Sequence, residues 1–347
     1  MNAPKIEKIL VFCTVSTGLD AVAEVVSRGF PIAGIVGLDP SVADPIKVSG
    51  FIDVGIFAAR TGVPFYHVST YGLGAPSDRQ MIESIDFELI WVAGWQRLLP
   101  KWLIDLSKWG VIGGHGSPDG VHGGRGRSPQ NWALMLGCDR FDMALFRITP
   151  GVDDGPIIAR RSFHYLPEDD IAVSYYKSSL AVADMMCEAL LAPQTILSGT
   201  PQPPGGHYYP QRLATDGRAD WSLPHDWVAR HCRALTSPYP GLRTKAGDTE
   251  IIIWQCQPFD DSIDSPCGSI SACFTSGDFL VSCRNGRVLV RKWEALDPGW
   301  SPRPGAILES TPFPEQLKTI LERHEQKLPS QPISPRILRW VDSNNKE

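Results

Sequence analysis

The sequence has no CxxC pair, no His/Cys spacing of the kind that holds a metal, and no G-x-G-x-x-G turn, although it carries eight cysteines. Zinc ribbons, iron–sulfur sites and a Rossmann dinucleotide fingerprint are therefore not supported. Long apolar runs are also missing. The opening MNAPKIEKILVFC holds an apolar run of only about five residues, too short for a signal-peptide core. Nowhere does the chain reach the roughly 18 apolar residues of a membrane span. Nor is there an excess of basic charge: 33 Lys+Arg stand against 38 Asp+Glu, giving a formal net charge of −5 and an isoelectric point near 5.9. That balance argues against a polyanion such as nucleic acid, or an anionic membrane surface, as partner. The chain is expected to be cytoplasmic, reduced and metal-free.

What is present is an ordinary globular composition: 347 residues, 43% hydrophobic and 20% charged. This length suits two domains with a tail. Residues 9–12 form a β-rich apolar run, residues 19–29 show helical spacing and end on Gly29, and residues 32–38 repeat the buried-strand pattern. Residues 51–60 read as helix and residues 88–93 as another apolar strand. Strands alternating with helices predict a Rossmann-like, mostly parallel α/β sheet with its ligands beyond the carboxyl ends of the strands. The loops of interest are residues 14–18, residues 94–100 and the Gly-rich stretch 113–126. Residues 141–149 and 156–165 read as strands around a Pro150-Gly-Val-Asp-Asp-Gly turn, and residues 171–191 as a long helix. Gly199-Thr-Pro-Gln-Pro-Pro-Gly-Gly then marks a linker. Beyond it come a helix at 225–235 and short β runs at 250–254 and 287–291 around Arg284-Asn-Gly, a small β-rich module. The expected division is 1–200, a linker at 201–215, a β-rich domain at 216–310, and a C-terminal helix and tail at 311–347. Residues 329–347 read as loosely held.

The densest cluster of unusual residues is Gly113-Gly-His-Gly-Ser-Pro-Asp-Gly-Val-His-Gly-Gly-Arg-Gly-Arg-Ser-Pro129. Glycine at this density implies sharp turns or close approach to a ligand. His115, at its entrance, suits oxyanion binding or proton handling. His115-Gly-Ser, Arg125-Gly-Arg-Ser-Pro129, Trp132 and Val152-Asp-Asp-Gly155 follow in order, with Asp153 thirty-eight positions after His115.

In this order and spacing they resemble the folate-dependent formyltransferases. The family signature is Asn-x-His-Gly-Ser, then Arg-Gly-x-x-Pro-x-x-Trp, then Leu-Asp-x-Gly. Pro167-Glu-Asp-Asp-Ile-Ala is similar to the segment that opens the last helix of the family's catalytic domain. Asp216-Gly-Arg-Ala-Asp-Trp221, Arg233-Ala-Leu and Pro238-Tyr-Pro-Gly241 are similar to the opening of its small OB-like β-barrel second domain. The resemblance covers residues 7 to 305. It implies formyl transfer from 10-formyltetrahydrofolate to an amine, with His115 and Asp153 catalytic. It also implies that the pterin lies against Gly94, Trp95, Gln96 and Leu98 and against Val152 and Asp154, and that no metal takes part. Trp95 reads equally as core packing.

The family's catalytic asparagine falls on Gly113, which has no amide; its backbone N–H, His122 or Asn131 are the candidate substitutes. Losing one oxyanion donor is worth on the order of 3 kcal/mol in the barrier. A non-catalytic folate- or nucleotide-binding protein is therefore an alternative, as is hydrolysis of formyltetrahydrofolate. For the acceptor, residues 37–50 hold two aspartates and one lysine, where methionyl-tRNA formyltransferase carries a basic loop. This leaves tRNA formylation as the alternative and favours a small-molecule partner, a nucleotide-linked amino sugar of the kind used in lipopolysaccharide O-antigen synthesis. Arg125, Arg127 and Lys177 are candidates for its pyrophosphate, with solvated surface charge as the equal alternative. A homodimer is compatible with the sequence, which does not fix the oligomeric state.

Overall fold

A computed structural model of the chain describes residues 5–41, 43, 50–263 and 265–344. Half of the loop read for charge at 37–50, including Asp44 and Lys47, lies outside the described residues, as do residues 345–347 of the tail. The chain divides into two compact units. The first runs to Arg125 and adds Arg140–Phe163 and Tyr175–Gly205; the second comprises Gly126–Asp139, His164–Ser174 and the chain from Gly206.

The first unit is built on a sheet whose strands β1 (Ile9–Phe12), β2 (Ile32–Leu38), β3 (Phe65–Val68), β4 (Leu89–Val92) and β5 (Val111–Ser117) are mutually parallel. The order across the sheet is β3-β2-β1-β4-β5, followed by Arg140–Arg147 and Ile157–His164. The strand Arg140–Arg147 runs antiparallel to β5, pairing His115 with Ala144. Buried on both faces, such strands read as continuous apolar runs. All four residues of β1 are fully buried, each side chain contributing about 1.5–3 kcal/mol. Helix Ser16–Ser27 buries Leu19, Val22 and Val25, the i, i+3, i+6 spacing of one helical face, with Ala21 buried beside them.

The glycine-rich stretch corrects one expectation. Residues 113–117 belong to β5 instead of forming a loop, and His115 sits within the strand. The glycines answer to close packing by other segments, on one face at Gly113, where a Cβ would lie 2.9 Å from Ile148 Cδ1, and on the other at Gly114 and Gly116. A Cβ on Gly114 would lie 3.0 Å from Val182 of the long helix Ile171–Leu191, and one on Gly116 would lie 2.6 Å from the Asp142 carbonyl oxygen. Only from Gly120 does the chain turn into the one-turn helix Gly120–Gly123, which carries His122.

The second unit contains helices Pro129–Met135 and His225–Leu235 and a five-stranded antiparallel sheet. The order is Leu242–Ala246, Thr249–Asp260, Gly286–Ala295, Phe279–Cys283, Ile270–Cys273. The Asp216–Trp221 motif serves folding here. Asp216 pairs with Arg323. Asp220 accepts from the Phe313 backbone N–H at 2.7 Å and from that of Ser222 at 3.0 Å, and Trp221 is fully buried. The C-terminal segment is more ordered than its composition suggested: helix Pro335–Asn344 places Trp340 against Phe313, ring centroids 4.8 Å apart. Polar spacers hide that contact in the sequence.

Arg212, His231 and Trp132 form a buried cluster in this unit. Arg212 donates to His231 Nε2 at 3.0 Å and lies over the Trp132 ring at 5.3 Å. Burial, reinforced by the Arg212 charge, holds the His231 imidazole well below the ordinary histidine range. The unfolded chain therefore takes up a proton near pH 6.5 that the folded chain refuses. Stability is complete above that pH and falls by about 1.4 kcal/mol per unit as the pH drops below it. Urea unfolding between pH 8 and pH 5 is expected to show this slope, and His231→Gln to flatten it.

Candidate active site

His115 and Asp153 are brought together at the carboxyl side of the sheet in the first unit. Val92, the last residue of β4, lies beside Gly113, so the loop after β4 emerges next to His115. The His115 Nε2 is 3.8 Å from Asp153 Oδ2, and the two side chains are 15% and 23% exposed. Nε2 also donates to the Gly124 carbonyl at 2.9 Å. A carbonyl only accepts, so this nitrogen carries the proton and Nδ1 is the other ring position. Asp153 adopts φ +50°, left-handed backbone that Asp tolerates better than most residues.

The turn around Asp153 is held at several points. Asp154, exposed, accepts from the Thr149 hydroxyl through its carboxylate. Gly155 lies so close to the strand before it that a Cβ would fall 1.7 Å from the Arg147 carbonyl oxygen. Gln202 Nε2 donates to the carbonyls of Asp153 and Gly155, both at 2.8 Å. Its Oε1 accepts from Arg125 Nη2 at 3.4 Å. Val152 is half-buried in the same turn. Gln202 went unread in the sequence because it sits in the Pro/Gly linker, and its only local signal is the pair of prolines flanking it.

The loop after β4 is fixed by Tyr71, a second residue that the sequence did not single out. Its hydroxyl accepts from the Gln96 backbone N–H at 2.8 Å and bonds Thr14 Oγ1 at 3.1 Å, and the Arg97 guanidinium lies 4.7 Å over its ring. Gly94 adopts φ +83° with Val15 where a Cβ would stand, so only glycine suits the position. Trp95 packs in the core, 5.5 Å from Phe12 and 4.8 Å from Tyr71 between ring centroids. Leu98, by contrast, is 64% exposed.

Of the three basic candidates, Arg125 is buried at 6% exposure and faces no carboxylate among the described residues. Lys177 is half-buried on the helix Ile171–Leu191, and Arg127 is exposed in the second unit. The Asn131 amide nitrogen is engaged with the Ala234 carbonyl in the second unit, which removes it as an oxyanion donor. At Gly113 a Cβ would stand 2.9 Å from the end of the Ile148 side chain, Cδ1, so a side chain there requires Ile148 to shift. Among the described residues no group of three or more potential metal ligands occurs, and no helix is long and apolar enough to cross a membrane.

Comparison with known proteins gives two family matches: "Formyl transferase" over residues 63–190 and "Formyl transferase, C-terminal domain" over residues 214–297. Among solved structures, HypX from Aquifex aeolicus in complex with tetrahydrofolic acid is 17% identical with a TM-score of 0.59, over 92% of this chain and 48% of its own. The chain thus spans about half the length of HypX. An N-formyltransferase from Helicobacter canadensis in complex with folinic acid and dTDP-3-aminofucose is 10% identical with a TM-score of 0.57, over 83% of this chain and 99% of its own. Methionyl-tRNA formyltransferase from Clostridium thermocellum is 13% identical with a TM-score of 0.52, over 75% of this chain and 97% of its own. At these identities the structures share the fold.

Proposed function

This chain belongs to the formyl transferase family, and on that premise we propose that it transfers the formyl group of 10-formyltetrahydrofolate to the amine of a nucleotide-linked amino sugar. The observation that carries the reading is the approach of Asp153 to within 3.8 Å of the His115 Nε2. The residues around this pair fit a pterin-bearing donor. The loop after β4 offers the exposed apolar surface of Leu98 beside the backbone of Gly94 and Gln96, with Trp95 supporting it from the core. The turn at 151–155 offers the backbone of Val152 and the carboxylate of Asp154. These are the residues that would hold 10-formyltetrahydrofolate, which when bound supplies an electrophilic formyl carbon.

The protein's part is proton handling and charge stabilisation. An attacking amine must lose a proton, and the Asp153 carboxylate takes it. The His115 Nε2–H turns from the Gly124 carbonyl toward the formyl oxygen as negative charge develops there, and its proton would then pass to the folate nitrogen as the bond to the formyl carbon breaks. The limited exposure of both side chains strengthens these interactions by restricting water. Because Gly113 has no side-chain donor, the burden on His115 is larger than in relatives with asparagine at that position.

For the acceptor, the net charge of −5 suits a small ligand better than tRNA, whose binding depends on neutralising many phosphates. A buried guanidinium without a carboxylate is costly alone, and Arg125 would be compensated by a pyrophosphate, with Lys177 of the same unit as a further contact. The Helicobacter relative, whose structure holds folinic acid and dTDP-3-aminofucose, supports the same assignment.

Calorimetry is expected to show folinic acid and dTDP binding independently, with no binding of initiator tRNA at physiological salt. Binding of tRNA that weakens steeply with salt, without binding of any nucleoside diphosphate, would overturn the sugar reading in favour of tRNA formylation.

A further inference from the structure

We infer that Gln202 is a positioning residue of this site, whose side-chain amide holds the Asp153 turn against His115. The inference rests on the reading of His115 and Asp153 as the reacting pair. The contacts close a ring. His115 Nε2 donates to the Gly124 carbonyl at 2.9 Å, and Arg125, next in the chain, donates to Gln202 Oε1 at 3.4 Å. Gln202 Nε2 then donates to the Asp153 and Gly155 carbonyls at 2.8 Å each, and Asp153 Oδ2 returns to within 3.8 Å of the His115 nitrogen.

The chemistry of the ring asks for an amide. The two turn carbonyls need two N–H donors from one side, and the Arg125 guanidinium needs an acceptor. A carboxylate would set oxygen against both carbonyls, and an ammonium would set a second cation beside Arg125. The need for a clamp is also local. Asp153 sits at φ +50°, a sparsely populated region that persists only where its surroundings enforce it. Gly155 is pinned to the Arg147 carbonyl and Asp154 to Thr149, while the peptide of Asp153 itself is held by Gln202. Pro201 and Pro203 restrict the backbone on both sides of Gln202, so its side chain is presented with little freedom. Composition alone would assign this segment to a passive linker.

The test uses the full chain labelled with ¹³C at histidine Cε1, the His115 resonance being identified by its loss in His115→Gln. In Gln202→Glu the resonance is expected to move in the direction set by Asp153→Asn, while the thermal midpoint stays near that of the parent. With 10-formyltetrahydrofolate and a dTDP-linked amino sugar, kcat is expected to fall about tenfold with KM within about twofold, the signature of lost alignment. The double variant Gln202→Glu/Asp153→Asn is expected to be no slower than Asp153→Asn alone, because the clamp acts through Asp153. Gln202→Ala repeats the measurement without the added charge. A His115 resonance left at its parent position in both Gln202 variants overturns the inference. If the resonance moves but Asp153→Asn leaves formyl transfer unchanged, the clamp stands and the catalytic reading of the pair falls instead.

Discussion

Asp153→Asn is expected to slow formyl transfer by about 10²–10⁴-fold, the range contributed by a positioned general base. Asparagine is the informative replacement because it tolerates the left-handed backbone at φ +50°, whereas alanine there would add strain and confuse lost chemistry with lost structure. The carboxylate and the amide have nearly the same shape, so the Gln202 hydrogen bonds to the Asp153 and Gly155 carbonyls should survive. Single-turnover measurements of tetrahydrofolate release, alongside thermal unfolding, check the result. Because His115 and Asp153 act as one unit, the double variant His115→Ala/Asp153→Asn should be about as slow as the slower single variant. Additive losses would mean that the two side chains act in separate steps.

The second large effect is expected at Gly113. Residues two apart on a strand share a face, so a side chain here would project beside His115. Ile148 would have to shift to make room for it: a Cβ would stand 2.9 Å from Ile148 Cδ1 and 3.2 Å from Ile148 Cγ1. Gly113→Asn alone should therefore lower stability by about 1–3 kcal/mol through overpacking, without raising the rate. Paired with Ile148→Ala, which clears those atoms, the asparagine gains room for its amide. The double variant is then expected to transfer the formyl group about a hundredfold faster than the parent, the usual worth of one added oxyanion donor. A folded double variant no faster than the parent would mean that another group already fills the donor's role. Single-turnover rates of parent, single and double variants decide between these.

The legible parts of the molecule are those where one segment carries its own signal. The strand Ile9–Phe12 and the helices Ile171–Leu191 and His225–Leu235 show it in uninterrupted apolar residues or helical spacing. Helix Pro76–Ser84 went unread because only Asp78 and Ile82 on it are buried, and what anchors it is the Asp78 carboxylate accepting from the Ser69 and Thr70 backbone at 2.7 and 3.0 Å. The glycines of β5 were read as a loop because sequence registers their missing side chains without the reason for them. That reason is the packing of Ile148, Val182 and Met143 from distant segments. At the site, His115 and Asp153 were visible through ordered motifs. Gln202 and Tyr71 were not, since each acts through a hydrogen bond to a backbone brought near by the fold.

The most direct test of the account supplies the purified parent protein and its Asp153→Asn variant with 10-formyltetrahydrofolate and a panel of dTDP-, GDP- and UDP-linked amino sugars, and follows release of tetrahydrofolate. The account predicts turnover with one of them in the parent and a loss of about 10²–10⁴-fold in the variant. Folate binding with no turnover across the panel, or equal rates in the two proteins, would contradict it.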